Sequence, residues 1–424
     1  MTNNDVQSGP TTEPTAGAES LPAWPDGSDL GLSRGTDFLC FDDMLTEQER
    51  EVRDRVRRWC DTEVIPVMNR HWEAAEVPMD LLLSGYAGLG VAGGAVRGFG
   101  CPGHSHLLEG KIIAELARAD GSLSTVSAVH SGLAMATIGL LGDEEQKQRW
   151  LPSMAGLDKL GAFALTEPQH GSDVVQLQTS AVRDGQEWVL TGQKRWIGLG
   201  GLADLVIVWA RDEDGNVGGF VVEQPGRGEF VPGYRARTLT GKIANRAVWQ
   251  AHIDMDGVRI PAGNRLAGAN TFTDTNLVLA KSRLGVAWEG VGHAVGAYEG
   301  ALAYALRREQ FGRPIAKFQL VQDKLSHMLA QITAMQGMCT RTAQLLEQGR
   351  MGLEHAAMCK MTAAGGARQV CAMAREILGG NGILLDHHVA RHYADIEAVF
   401  TYEGTESVQS LIVGRAVTGL SAFV

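Results

Sequence analysis

A chain of 424 residues is long enough to bury a large core and to divide into two or three domains. With 44% hydrophobic and 21% charged residues and a net charge of -11, it has the composition of a soluble globular protein, and it lacks the clustered Lys and Arg that a nucleic-acid surface needs. Cys40, Cys60, Cys101, Cys339, Cys359 and Cys371 form no CxxC pair, which argues against a zinc site or a disulfide scaffold and fits reduced thiols in the cytoplasm.

Residues 1–36 are rich in Thr, Ser, Gly and Pro and are expected to form a disordered tail. No Lys or Arg precedes Arg34, which fits neither a signal nor a transit peptide, and Ala422-Phe423-Val424 is no peroxisomal address. No apolar run is expected to span a bilayer. Thr46-Glu47-Gln48-Glu49 is a capping box, and Val52, Val56 and Trp59 mark one face of the helix that follows. Further helices are expected over 106–119, 124–141 and 144–150, the last stopped by Pro152, so 37–160 reads as a helical domain.

From Gly161 the period changes. Strands are expected at 179–182, 188–191, 205–210, 219–222 and 247–253, with Asp184-Gly185, Asp214-Gly215 and Asp256-Gly257 as turns, giving a β domain over 161–272. Gly198 to Ala203 matches a loose GxGxxA fingerprint, but a strand follows where a dinucleotide-binding helix is required, so a Rossmann site is rejected. From 273 to 424 helical spacing returns over 283–306, 318–335, 354–378 and 405–420, a four-helix bundle whose Phe318, Val321, Leu325, Met328, Ile332 and Met335 stripe reads as core. The fold class is mostly α with a central β domain. His387, His388 and His392 read as a polar helix end, and no metal is expected.

Within the last domain, Phe400-Thr401-Tyr402-Glu403-Gly404-Thr405 places one carboxylate between apolar helical patterns, beside a glycine that admits close approach of a ligand. Packed helices would desolvate Glu403 and raise its pKa toward the range of a general base.

Five segments in order, Leu165-Thr166-Glu167-Pro168 through Gly171-Ser172-Asp173, Gly192 to Ile197, Arg308-Glu309-Gln310-Phe311-Gly312, Leu378 to Gly382 and Tyr402 to Thr405, resemble the signatures of the acyl-CoA dehydrogenase family over residues 37–424. The likeness is strongest to its glutaryl-CoA dehydrogenase and plant short-chain acyl-CoA oxidase branches. The resemblance implies a homotetramer that holds FAD and desaturates an acyl-CoA thioester, with Glu403 removing the α-proton, hydride passing to flavin N5, and electron-transferring flavoprotein or O2 as acceptor.

By resemblance, Thr166 hydrogen-bonds the flavin and Gly171 and Ser172 lie by its pyrophosphate, with Ser172 also near the substrate pantetheine. Trp196, Ile197 and Gly198 flank the ring. Arg308, Phe311 and Gln319 reach the FAD of a neighbouring subunit, an Arg fork suiting phosphate oxygens, and Glu376, Gly379, Gly380, Thr405 and Ser407 complete the cofactor set. Ser124, Ser172, Arg283 and Gly404 contact substrate. Without the resemblance these residues read as a turn, a core aromatic, a surface ion pair and helix stops.

Ser282 stands where some relatives place the base and cannot serve, which leaves Glu403 alone. Ser124 stands where glutaryl-CoA dehydrogenases carry an Arg for the distal carboxylate, so an uncharged acyl chain is expected. Gly198 replaces a usual Thr and is expected to open space for oxygen, which keeps oxidase activity as an alternative; a non-catalytic flavin or acyl-CoA scaffold is another.

Overall fold

The computed structural model describes residues 36–422, so all of the tail expected at 1–36 except Thr36 lies outside the described residues. Helix α1 (Glu47–Trp59) starts at the expected capping box, with the Glu49 amide donating to Thr46 Oγ1 at 3.3 Å and the Thr46 amide to Glu49 Oε2 at 2.8 Å. Next come α2 (Ile65–Ala74), α3 (His106–Ala119), a continuous helix α4 (Gly121–Leu141) and α5 (Glu144–Ala155).

Pro152 lies inside α5 and does not stop it. The helix runs on until Met154 is buried and Gly156 caps it. Helix α4 is long and apolar enough to cross a membrane, contrary to the expectation that no such run exists, but 67% of its most apolar stretch is buried within the protein. Ser124, Thr125 and His130 also find hydrogen-bond partners there, which marks a core helix.

Seven strands form the central sheet: β1 (Gly161–Ala164), β2 (Ser180–Asp184), β3 (Glu187–Gly198), β4 (Leu205–Arg211), β5 (Val217–Glu223), β6 (Tyr234–Thr238) and β7 (Gln250–Pro261). Their order is β1-β4-β2-β3-β7-β6, with β5 paired to β4. Strands β1 and β2 run parallel to β4 and the other pairs are antiparallel. The sequence reading missed β1, which is built of Gly, Ala and Phe, and β6, an edge strand with alternating Arg. Gly257 is not a hairpin turn but a left-handed residue inside β7, with φ +67°.

Five helices, not four, close the chain: α6 (Phe272–Arg307), α7 (Gln319–Glu347), α8 (Leu353–Ile377), α9 (Val389–Thr401) and α10 (Glu406–Thr418). Glycines let α6 approach its neighbours: a Cβ on Gly290 would lie 3.1 Å from the Ala363 backbone in α8, and one on Gly292 would lie 2.3 Å from the Ala114 carbonyl in α3. Helix α9 escaped the sequence reading because Arg391, His392 and Asp395, all buried, interrupt its apolar pattern.

Candidate active site

The chain between α9 and α10 is a strained turn. Glu403 has φ +56° and Gly404 φ +89°. A non-glycine in the left-handed region costs about 1–3 kcal/mol, so surrounding bonds must impose it. Lys360 on α8 donates Nζ to the carbonyls of Phe400 at 3.0 Å and Gly404 at 2.8 Å. Gln409 Nε2 donates to the Glu403 carbonyl at 2.8 Å, and Arg283 Nε reaches the same oxygen at 3.3 Å. Glycine suits position 404 because its φ of +89° strains any other residue, and a Cβ there would meet Gln409 Nε2 at 2.4 Å and push it from the carbonyls it holds. Thr405 caps α10, its hydroxyl accepting from the Val408 amide at 3.3 Å, while Ser407 is exposed.

The Glu403 carboxylate is half-buried and accepts from Ser282 Oγ at 3.0 Å. Burial raises its proton affinity, and Arg283, the Ser282 hydroxyl and Lys360 pull against that rise. Burial likewise pushes Lys360 down to about 8 and lowers Arg283, whose Nη1 is buried without a hydrogen-bond partner. Sequence reasoning missed a second carboxyl here. Glu289 on α6 is 1% exposed and accepts from Ser124 Oγ at 2.7 Å and Tyr402 Oη at 2.6 Å. Burial lifts it to about 7, opposed by those two hydroxyls. Its place seven residues beyond Ser282, on the same helical face, was the available signal.

A second group lies along β3. Between Lys194 and Ile197 the β3–β7 register shifts, and this bulge gives Trp196 φ +65° and leaves it 56% exposed. The Arg195 amide donates to the Thr166 carbonyl at 2.8 Å, tying that turn to the bulge. Beneath it, buried Lys194 donates to Glu167 Oε1 at 2.9 Å and to the Leu165 carbonyl at 3.0 Å. Thr166 is half-buried, Gly171 and Ser172 are exposed, and Ile197 is in the core. Gly198 does not open space for oxygen: a Cβ there would lie 2.8 Å from Val129 Cγ2, so Val129 already fills the volume. Val129 sits on α4 five residues, roughly 7–8 Å, beyond Ser124, and the helix therefore touches both groups.

A third group gathers at the far end of α6. Arg308, Phe311, Gln319, Glu376, Gly379 and Gly380 are all exposed. Phe311 has φ +52° and 91% exposure and meets the Phe318 ring edge-on at 6.0 Å. Asn381 Nδ2 donates to Tyr304 Oη at 2.9 Å, which fixes the glycine turn against α6, and Glu376 pairs with Lys324 on α7 at 3.2 Å. About 25 residues of helix, roughly 38 Å, separate this group from Ser282, so one chain does not bring it to Glu403.

His388 and His392 are not a solvated helix end. His388 Nε2 lies 2.9 Å from His392 Nε2, and His392 Nδ1 lies 2.9 Å from His293 Nδ1. His293 and His392 are nearly inaccessible, and burial holds all three rings neutral.

Three family models cover the chain: acyl-CoA dehydrogenase, N-terminal domain at residues 46–158, middle domain at 162–258 and C-terminal domain at 272–418. A probable acyl-CoA dehydrogenase of Bacillus subtilis is 31% identical over 378 residues, spanning 88% of this chain and 98% of its own. A glutaryl-CoA dehydrogenase from Mycobacterium smegmatis in complex with FADH2 superposes with a TM-score of 0.88 at 32% identity, over 92% of this chain and 99% of that one. Butyryl-CoA dehydrogenase from Megasphaera elsdenii superposes at 0.83 with 28% identity, over 88% and 98%.

Proposed function

The chain belongs to the acyl-CoA dehydrogenase family and is an oxidoreductase acting on acyl-CoA, and from that premise we propose that Glu403 is the base that removes the α-proton of an uncharged acyl thioester. The observation that carries the reading is the turn itself: a strained carboxylate, held by Lys360, Gln409 and Arg283, that keeps one hydroxyl partner at its reacting end. Desolvation makes it a stronger base than a surface glutamate, which suits abstraction of a weakly acidic C–H proton. The Glu403 N–H would receive the thioester carbonyl oxygen as negative charge develops there.

The residues on β3 and its neighbouring turn suit FAD. An exposed, flat Trp196, next to the Arg195 amide that ties the Thr166 turn to the bulge, fits a planar ring, and a Cβ on Gly379 or Gly380 would meet no atom within 4 Å, leaving their backbone open to a large group. Thr166, Ser172 and Trp196 would hold the ring side, and Arg308 with Gln319 would hold the diphosphate of a neighbouring subunit in a homotetramer. FAD held there would supply the hydride acceptor for the β-hydrogen, with an electron-transferring flavoprotein as the acceptor that follows. Val129 packed against Gly198 favours that protein acceptor over O2.

An uncharged chain follows from Ser124. This neutral hydroxyl, bonded to the buried Glu289, offers a distal carboxylate no partner cation. Butyryl-CoA is expected to be turned over faster than glutaryl-CoA. The decisive variant is Glu403→Gln, expected to keep its FAD absorbance and lose about three decades or more of turnover, as when a central base is deleted. Near-normal turnover by that variant would remove Glu403 from the role.

A further inference from the structure

Ser282 and Glu289 stand on one face of α6, two turns and roughly 10 Å apart. Ser282 touches the Glu403 carboxylate directly. Glu289 touches the residue before it: the Tyr402 hydroxyl donates to Glu289 Oε2 at 2.6 Å, and the Ser124 hydroxyl fixes the other oxygen at 2.7 Å. Helix α6 thus holds the Tyr402 hydroxyl immediately before the left-handed residue, and Ser124 of α4 braces the carboxyl that holds it. Backbone carbonyls alone hold the turn on its other side, through Lys360 and Gln409.

We propose that Glu289 is a positioning residue for Glu403: anchored by Ser124, its carboxyl fixes the Tyr402 ring and with it the turn that presents the base. This rests on Glu403 being that base. The groups facing Glu289 are Ser124 on α4, Tyr402 and Glu403 from the turn, and Lys360 on α8, with Arg283 of α6 on the far side of Glu403. Burial first, and the Glu403 charge after it, raise Glu289, so near neutrality Glu289 takes up a proton. As the pH rises through about 7, Glu289 ionises, and its charge strengthens Glu403 as a base. A role in bulk stability alone would not produce that rise.

The test uses the FAD-loaded enzyme with butyryl-CoA and the variants Glu289→Gln, Glu289→Leu and Tyr402→Phe. Glutamine keeps an acceptor for Tyr402, so Glu289→Gln is expected to retain kcat within a few-fold while losing the activity rise near pH 7. Glu289→Leu and Tyr402→Phe release the turn and are expected to lower kcat about 10- to 100-fold with little change in KM, the double variant being no worse than either. Wild-type kcat and pH profile in Glu289→Leu would overturn the proposal. Should that variant fail to fold, an unchanged rise near pH 7 in Glu289→Gln overturns it equally. An inactive Glu403→Gln beside indifferent Glu289 variants removes this proposal alone, whereas a fully active Glu403→Gln removes the base assignment and this proposal together.

Discussion

The two ends of α6 are built on opposite plans. Around Ser282 and Glu289 the side chains are buried, charged and matched: Glu403 to Ser282, Glu289 to Ser124 and Tyr402, and Lys360 to two carbonyls. Past Arg307 the chain turns outward, with a strained and fully exposed Phe311, an exposed Arg308 and a bare pair of glycines. Both ends hold a non-glycine residue at positive φ, but only the first is fixed there by side-chain donors; the second rests on a tight hairpin turn. A single folded chain therefore accounts for the Glu403 turn, whereas the far end presents strain and apolar surface that the described residues leave uncovered.

Acid should show how far the buried end depends on its titration state, and the effect is the largest expected. His293 and His388, each held near 3, and His392, which burial also holds well below the ordinary range, stay neutral in the fold but would charge in the unfolded chain near 6.5. Their contribution to stability is complete above pH 6.5 and is lost as the pH falls toward 3. The raised carboxyls Glu289 and Asp395, near 7, act with the opposite sign, and their contribution is already complete below the ordinary carboxylate range. Below about pH 4.5 the histidine loss is joined by that of carboxyls held low in the fold, among them Glu115 and Glu167, where the opposing effect of burial is outweighed by cationic neighbours. The melting temperature should drop steeply from there. A Tm held level to pH 3 would show that the triad is neither as buried nor as neutral as drawn.

Lys360→Met comes next in size. It leaves the Phe400 carbonyl without its buried donor and the Gly404 carbonyl with Gln409 alone, which should cost about 1–3 kcal/mol by urea titration. Turnover should fall with it, since the Glu403 turn loses its tether to α8. A loss below about 0.5 kcal/mol would mean that the two carbonyls find other partners and that the buried end is less tightly specified than the contrast requires.

Local rules were readable in the sequence and long-range meetings were not. The capping box at Thr46, the limits of α3 and the strand that rules out a dinucleotide helix after Ala203 all follow from spacing within a few residues. Glu403, Gly404 and Arg283 could be named because their motifs are short and ordered. Glu289 could not, since its meaning arises only when Ser124 and Tyr402, 165 and 113 residues away, close on it. Gly198 was misread for the same reason: what matters is Val129, brought in by a helix from before the sheet. Helix α9 was missed because pattern reading treats buried Arg391, His392 and Asp395 as solvent-facing, while the fold satisfies them through Asp120, His293 and Trp72.

The smallest expected effect on the folded chain falls at the other end of the contrast. Phe311 is 91% exposed, and its ring meets Phe318 only edge-on, so deleting it removes almost no packing. It also sits at φ +52° in the tight turn between Gln310 and Arg313, a conformation that glycine adopts without strain. Phe311→Gly should thus leave the stability of the dilute chain unchanged or raise it by up to about 1 kcal/mol in a urea melt. Self-association measured by sedimentation should weaken in the same variant, because the ring is the most exposed of the large apolar side chains at this end, ahead of Leu320 and Ile383. Loss of stability in the dilute chain would show that Phe311 is held by its own fold after all, and the two ends of α6 would then differ only in exposure.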